Sequence, residues 1–354
     1  MCNSTHVHSI QCILPPHMLD AISMRGDDRT KKIVADLIKD SDSYRNSRIS
    51  FTPQNSFQAS PVLPVTSAPK IKREIYDGQN SSSLPGNIAR SEGSLPSQDK
   101  DVNAAYDGAG DVYDLYLNAY RRNSLDGNGM SLVSTVHHRN KYNNAFWNGQ
   151  QMAYGDGDGT IFTNMIELSI IGHELSHGVV QFSGGLMYKD QSGALNESFA
   201  DVFGALTVQH KHKQSAREAD WLIGKDILGP SINGEALRSM KTPGDAYNDS
   251  LLGKDPQPYH MDYFVNTASD NGGVHINSGI PNHAFYLLSQ YLGGYAWEKA
   301  GHIWYDTMQA INNPNATFID WADKTIEMAA ARFGFGSREM LYTKRVWRLV
   351  GVMV

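Results

Sequence analysis

The chain reads as an α+β protein, with a β-rich first half, an α-helical second half and a cleft between them. Three observations point there. Short strand patterns broken by turn residues fill the stretch from 71 to about 160. Helical periodicity dominates from Met165 onward. Between the two stands His173-Glu174-Leu175-Ser176-His177, a metal-binding pattern at a domain junction, where clefts form preferentially. At 354 residues the chain has room for two domains, or for one with a pro-segment.

Bulk properties exclude several classes. Apolar content of 40% and charged content of 19% are those of a soluble globular chain. A net charge of -6 with no dominant basic stripe argues against a nucleic-acid partner. No apolar run approaches the roughly 20 residues needed for a membrane span. The start, Met1 to His8, has neither the basic nor the apolar region of a Sec signal peptide. The expectation is a precursor that stays in the cytoplasm or leaves by a leaderless route. The only two cysteines are Cys2 and Cys12. They read as inert thiols, with a mutual disulfide or a thiolate cap on a metal as weaker alternatives.

The elements follow in order. Ile13-Leu14-Pro15-Pro16-His17-Met18-Leu19 reads as an extended, proline-stiffened segment. Ile33, Val34, Leu37 and Ile38 then form a helical stripe. Residues 1–50 are a removable pro-segment or a cap on the main domain. Residues 51–70, rich in Ser, Pro, Gln and Asn, are a linker where processing is expected. A β-rich N-terminal lobe over 71–180, which includes the helix of the His173–His177 motif, opens with Ile71 to Asp77, a strand running into an Asp-Gly turn. Asp101 to Arg121 is helical, although Gly108 and Gly110 weaken the pattern locally. Leu132–His137 and Asn144–Trp147 are strands, and Tyr154–Gly159 is a tight loop lacking the full EF-hand pattern. Helices follow at Met165–Ser183 and, in a C-terminal lobe over 181–354, at Leu195–Gln209, Pro281–Leu292, Tyr295–Asn312, Phe318–Phe333 and Arg338–Val352.

The pentapeptide alone is a modest signal, with a chance rate on the order of 1% in such a chain. Its chemistry is nonetheless specific. Histidines four apart share a helix face and reach one ion, and Glu174 sits where it can take a proton from water. A catalytic zinc needs a third ligand. Glu197 and Asp201, four apart on an otherwise apolar helix, offer one carboxylate for the metal and one for a ligand histidine.

These blocks resemble the thermolysin family of zinc metallopeptidases. HELSH, the Asn196-Glu197…Asp201 pattern, Asn143 to Gly149 and Asp270 to Gly279 occur in the family's order. The 24-residue spacing from His173 to Glu197 also matches. The resemblance implies a two-lobe metalloprotease fold and one catalytic Zn2+ on His173, His177 and Glu197. It makes Glu174 the general base and Asp201 the residue orienting His173. Tyr188 and His275 become the oxyanion donors, with Asp270 holding His275. Asn144 and Ala145 pair with the substrate backbone, and Arg238 takes a substrate carbonyl. Leu237, Ile170 and Phe162 line an apolar pocket for the residue after the scissile bond. The implied activity is endopeptidase cleavage on the N-terminal side of hydrophobic residues.

The pattern departs from the family at its calcium ligands. Ser169, Val208, Leu222 and Lys225 stand at several of those positions, so the paired Ca2+ site is not expected, although Glu218, Asp220 and Asp226 leave room for one weaker site. The short N-terminal module with Pro15-Pro16 resembles the protealysin-like branch. There it implies a zymogen whose own pro-segment is an intramolecular inhibitor; a monomer is the expected state, and a secreted destination is reached only by the leaderless route named above. Two other classes compete. A catalytically silent peptide-binding protein would be free to lose Glu174, Tyr188 and His275. A structural zinc protein would need a fourth closed ligand.

Overall fold

A computed structural model describes residues 11–35, 37 and 69–354. Cys2 and nearly all of the linker at 51–70 lie outside the described residues.

The first half builds one six-stranded sheet in the order β1-β5-β6-β4-β2-β3. Its strands are β1 (Gln11–Cys12), β2 (Arg73–Asp77), β3 (Asn87–Ser91), β4 (Leu132–Val136), β5 (Ala145–Trp147) and β6 (Met152–Tyr154). β2, β4 and β6 run parallel, whereas β1, β3 and β5 are antiparallel to their neighbours. The N-terminal segment thus supplies the edge strand, with Gln11 opposite Trp147 and Cys12 opposite Phe146. An exposed edge of unpaired N–H and C=O groups is a template for such pairing.

Here the expected extended segment is corrected. Only the stretch up to Pro15 is extended; Pro16 opens helix α1 (Pro16–Arg25), and α2 follows over residues 28–35. Pro16 lacks an N–H that a first helical turn would leave unsatisfied anyway, so it starts the helix instead of blocking it. Met18, Leu19 and Ile22 of α1 are buried in the main core, with Val34 and Leu37.

Helix α3 (Lys100–Tyr120) packs on the sheet, and its N-cap Asp99 accepts from the Asp101 and Val102 amides. Across from it run α4 (Leu168–Gln181) and α5 (Asp190–His212), the most closely packed pair of elements. They approach at Gly172 and Gly204. A Cβ on Gly172 would lie 2.9 Å from the Gly204 Cα, and one on Gly204 would lie 2.5 Å from the Ser169 carbonyl oxygen. Only glycine permits that crossing, and the crossing brings the two functional helices face to face. No helix among the described residues is long and apolar enough to cross a membrane.

The second half adds α6 (Asp270–Asn277, non-helical at Asn271–Gly273), α7 (Gly279–Leu292), α8 (Ala300–Ala310), α9 (Phe318–Phe333) and α10 (Arg338–Leu349). α9 carries a full capping box between Thr317 and Asp320, and its expected bounds coincide with the observed ones. α8 begins five residues later than expected. Short ribbons fill the stretch between α5 and α6: β7 (Leu222–Ile223), β8 (Arg238–Ser239), β9 (Asn248–Asp249) and β10 (Gly253–Lys254).

Candidate active site

α4 points His173, Glu174 and His177 into the space between the sheet and α5, all three fully buried. The two imidazole Nε2 atoms lie 3.0 Å apart. Glu197 on α5 completes the cluster, its carboxylate oxygens 3.5 Å from His173 Nε2 and 3.4 Å from His177 Nε2. Each histidine is fixed from behind. His173 Nδ1 bonds Asp201 Oδ1 at 2.8 Å, and His177 Nδ1 bonds Asn196 Oδ1 at 2.9 Å. Carboxylate and amide oxygens only accept, so both Nδ1 atoms carry the proton and both Nε2 lone pairs face the centre.

Three ligand atoms therefore converge in a buried place, and Glu197 Oε2 has no hydrogen-bond donor. Two imidazoles with outward N–H groups and a buried carboxylate fit a divalent, borderline-soft ion. One other described cluster, Asp99, Asp101 and His137, has metal-like spacing but is half-exposed. There both ring nitrogens of His137 are already bonded, to Asp99 and to Asp156, at 2.8 Å each. Near Glu218, Asp220 and Asp226, Lys225 Nζ bonds Asp220 at 2.9 Å, and no three-ligand cluster gathers there among the described residues.

Around the centre lie the other candidate residues. The Glu174 carboxylate accepts from the Trp147 backbone N–H of β5 at 2.9 Å. Tyr188, on the loop before α5, donates to Glu197, and its oxygen lies 3.1 Å from His275 Nε2. Burial and the carboxylates of Glu197 and Asp270 push the Tyr188 phenol well above its usual pKa, so it keeps its proton. His275 sits just past an unusual turn. Asp270, Asn271, Gly272 and Gly273 all have positive φ, a left-handed run that Asn and Gly tolerate. That turn folds His275 back onto Asp270, which takes its backbone N–H at 2.8 Å and its Nδ1 at 2.6 Å. Burial pulls the His275 pKa down, but Asp270 and Glu197 outweigh it and hold it up to about 9.

Arg238 on β8 is buried against Asp201, with its Nε and Nη2 atoms 2.8–3.2 Å from the carboxylate oxygens. Burial pushes the Asp201 carboxyl up; Arg238 and His173 overcome this and hold it far below the usual carboxylate range. Ile170, Leu237 and Phe162 are buried in the apolar core.

The N-terminal segment enters this site. Cys12 O lies 3.2 Å from His275 Nε2. Ile13 N–H donates to Ala145 O at 3.2 Å, Leu14 N–H donates to Asn144 Oδ1 at 3.3 Å, and Arg238 Nη1 donates to Ile13 O at 3.1 Å.

The candidate metal-binding, catalytic and backbone-binding residues of the sequence analysis are all joined by these contacts. Three supporting residues were not anticipated. Asn196 holds His177, Asn282 Nδ2 donates to Asp201 at 2.9 Å, and Gln257 Nε2 donates to the His275 carbonyl at 2.7 Å. Asn196 had a local signal, its place beside Glu197. The other two lie 81 and 18 residues from their partners and had none.

Comparison with known proteins agrees with this geometry. Residues 63–181 match the model of the thermolysin metallopeptidase catalytic domain, and residues 184–352 match that of its alpha-helical domain. An extracellular metalloprotease of Pectobacterium carotovorum subsp. carotovorum is 45% identical over 97% of this chain and 96% of its own. Protease PrtS of Photorhabdus sp. (strain Az29) is 48% identical over 80% of this chain and 77% of its own. In the structure of the precursor of protealysin, a metalloproteinase from Serratia proteamaculans, the likeness covers 97% of this chain and all of that one. Its TM-score is 0.87 and its identity 44%. With a metal-binding triad across α4 and α5 and both domain models matched in order, the chain belongs to the thermolysin family of zinc metalloendopeptidases.

Proposed function

We propose that this endopeptidase is made as a zymogen and cleaves on the N-terminal side of hydrophobic residues, with Glu174 as general base. The observation that carries the reading is the way Cys12, Ile13 and Leu14 thread the site, each backbone group on a separate candidate residue. A strand added to the edge of β5 holds a peptide by its backbone, so most side chains are tolerated. The residue at the Ile13 position is the exception, because its side chain is fully buried as part of the apolar core.

His173, His177 and Glu197 would hold the zinc, with Asp201 and Asn196 fixing the two imidazoles. When bound, zinc supplies Lewis acidity, which acidifies water and polarises a carbonyl. Glu174 takes the proton of the attacking water and delivers it to the leaving amine. Tyr188 and His275 donate to the carbonyl oxygen as negative charge grows on it, which is usually the largest stabilising contribution. Asp270 keeps His275 protonated and aimed for that task. Arg238 orients the next carbonyl while neutralising Asp201.

Residues 1–50 are the pro-segment, 51–70 the linker that is cut, and 71–180 and 181–354 the two catalytic lobes. The name of the Pectobacterium relative supports an extracellular destination for the mature enzyme. Casein hydrolysis by the processed enzyme tests the activity. It should stop with phenanthroline, return with zinc, and be absent in Glu174→Gln. A Glu174→Gln enzyme of unchanged rate would refute the assignment. A chain starting near Ser60 should outperform the intact precursor; equal rates would refute autoinhibition.

A further inference from the structure

We infer that Cys12–Ile13 is a peptide bond this enzyme hydrolyses in its own N-terminal segment. The inference rests on the function proposed above, because the groups assigned there to a substrate are the ones that hold residues 12–14. Cys12 O is on His275 Nε2 at 3.2 Å, and that nitrogen lies 3.1 Å from the Tyr188 oxygen. The carbonyl joined to Ile13 therefore rests on one of the two groups assigned to the developing oxyanion, beside the other. The next carbonyl, of Ile13, is on Arg238. The Ile13 amide is on Ala145 and the Leu14 amide on Asn144.

Register is tightly specified. Cys12 pairs with Phe146, the Ile13 amide is on Ala145 O, and the Leu14 amide is on Asn144 Oδ1, so a slip of one residue would break every one of these contacts. Ile13 is wholly buried, and it is the kind of residue expected just after a scissile bond. The direction also suits cleavage, since β1 is antiparallel to β5 and presents its carbonyls as an incoming substrate strand would.

After Ile13 the chain is anchored by Met18, Leu19 and Ile22 of α1 in the core. The cut adds a water oxygen to the Cys12 carbonyl carbon and breaks its bond to the Ile13 nitrogen. Glu174 carries one proton of the water to that nitrogen, and the second passes from the new carboxyl group to the freed amine. One water is consumed, and the products are a Cys12 carboxylate and an Ile13 ammonium. The new end stays docked through Ile13, Leu14 and α1, so this nick precedes release of the segment. Being intramolecular, it is first order in protein.

The test uses the full chain. Wild type is incubated with zinc, quenched at intervals, and examined by intact mass and N-terminal sequencing. A new chain beginning at Ile13 is expected, at a rate constant unchanged over a 100-fold range of protein concentration, and absent in Glu174→Gln. Amide exchange reads the register without turnover. In Glu174→Gln the Ile13 and Leu14 amides should be protected, and Ile13→Asp in that background should abolish the protection. In an otherwise wild-type chain, Ile13→Asp or the milder Ile13→Gly should open the cleft to an added peptide. A wild type that stays intact at Cys12–Ile13, or is cut only elsewhere, would overturn the inference if either Ile13 variant hydrolyses that peptide. If wild type and both variants bind zinc yet cut nothing, the enzymatic reading falls with it.

Discussion

Arg238→Met, made in a Glu174→Gln chain that cannot cut itself, isolates the ion pair behind the zinc ligands. Methionine roughly fills the space but removes the charge and every N–H. Asp201 is 0% exposed and accepts three short contacts from the guanidinium. Without Arg238 it keeps only His173 Nδ1 and Asn282 Nδ2 as donors. Breaking one side of a buried pair leaves an uncompensated charge, at a cost of roughly 3–5 kcal/mol. Loss of the bond to the Ile13 carbonyl adds about 1 kcal/mol. Urea unfolding followed by tryptophan fluorescence should therefore show a loss of about 4–6 kcal/mol at an unchanged slope. Most of that loss is the stranded anion, so adding Asp201→Asn should recover at least ~1 kcal/mol. A single variant within about 1 kcal/mol of its parent would refute the reasoning, as would a double variant less stable than the single.

Other outcomes follow from the same contacts. Tyr188→Phe should lower kcat by about 100- to 1,000-fold in steady-state peptide assays with KM little changed, because the phenol acts on charge that develops only during reaction. Gly204→Ala places a methyl 2.5 Å from the Ser169 carbonyl and 3.2 Å from the His173 backbone nitrogen. It should spread α4 from α5 and reduce bound zinc, measured as metal per chain after dialysis. Docking of the pro-segment should weaken in acid through His17, whose Nε2 meets the Tyr247 hydroxyl at 3.0 Å. Burial lowers the His17 pKa from 6.5 to about 4; Asp270 opposes this, while His275 and Arg238 add to it. A lowered histidine favours docking with its neutral form, so docking is strongest above pH 6.5 and declines as pH falls toward 4. The full effect is about 3 kcal/mol, or roughly 300-fold. A labelled peptide titrated into the Glu174→Gln chain should gain access over that range, and His17→Gln should flatten the profile. Identical profiles for the two chains would contradict the assignment.

Local order was legible because local physics sets it. The span of α9 follows from the Thr317 capping box at one end and Gly334 at the other. Misreadings occurred where one residue type serves two geometries. Pro15 and Pro16 both suggested extension, but Pro16 is equally suited to a first helical turn. β6 leaves no pattern in the sequence, because its three residues, Met152–Tyr154, run straight into the glycine-rich loop and are too few to show a period.

The sequence by itself determined the ligand types and their pairing on each helix. Four-residue spacings put His173 with His177, and Glu197 with Asp201, on common faces before any packing is known. Tertiary structure alone decided that these two faces meet, through the glycine crossing at 172 and 204. It alone decided that Arg238 would neutralise Asp201 across 37 residues, and that Cys12 would reach His275 across 263. The physical reason is range. A helical period is imposed by the backbone within a turn. A contact between distant segments forms only when buried surface, matched charges and a free strand edge all favour the same closure.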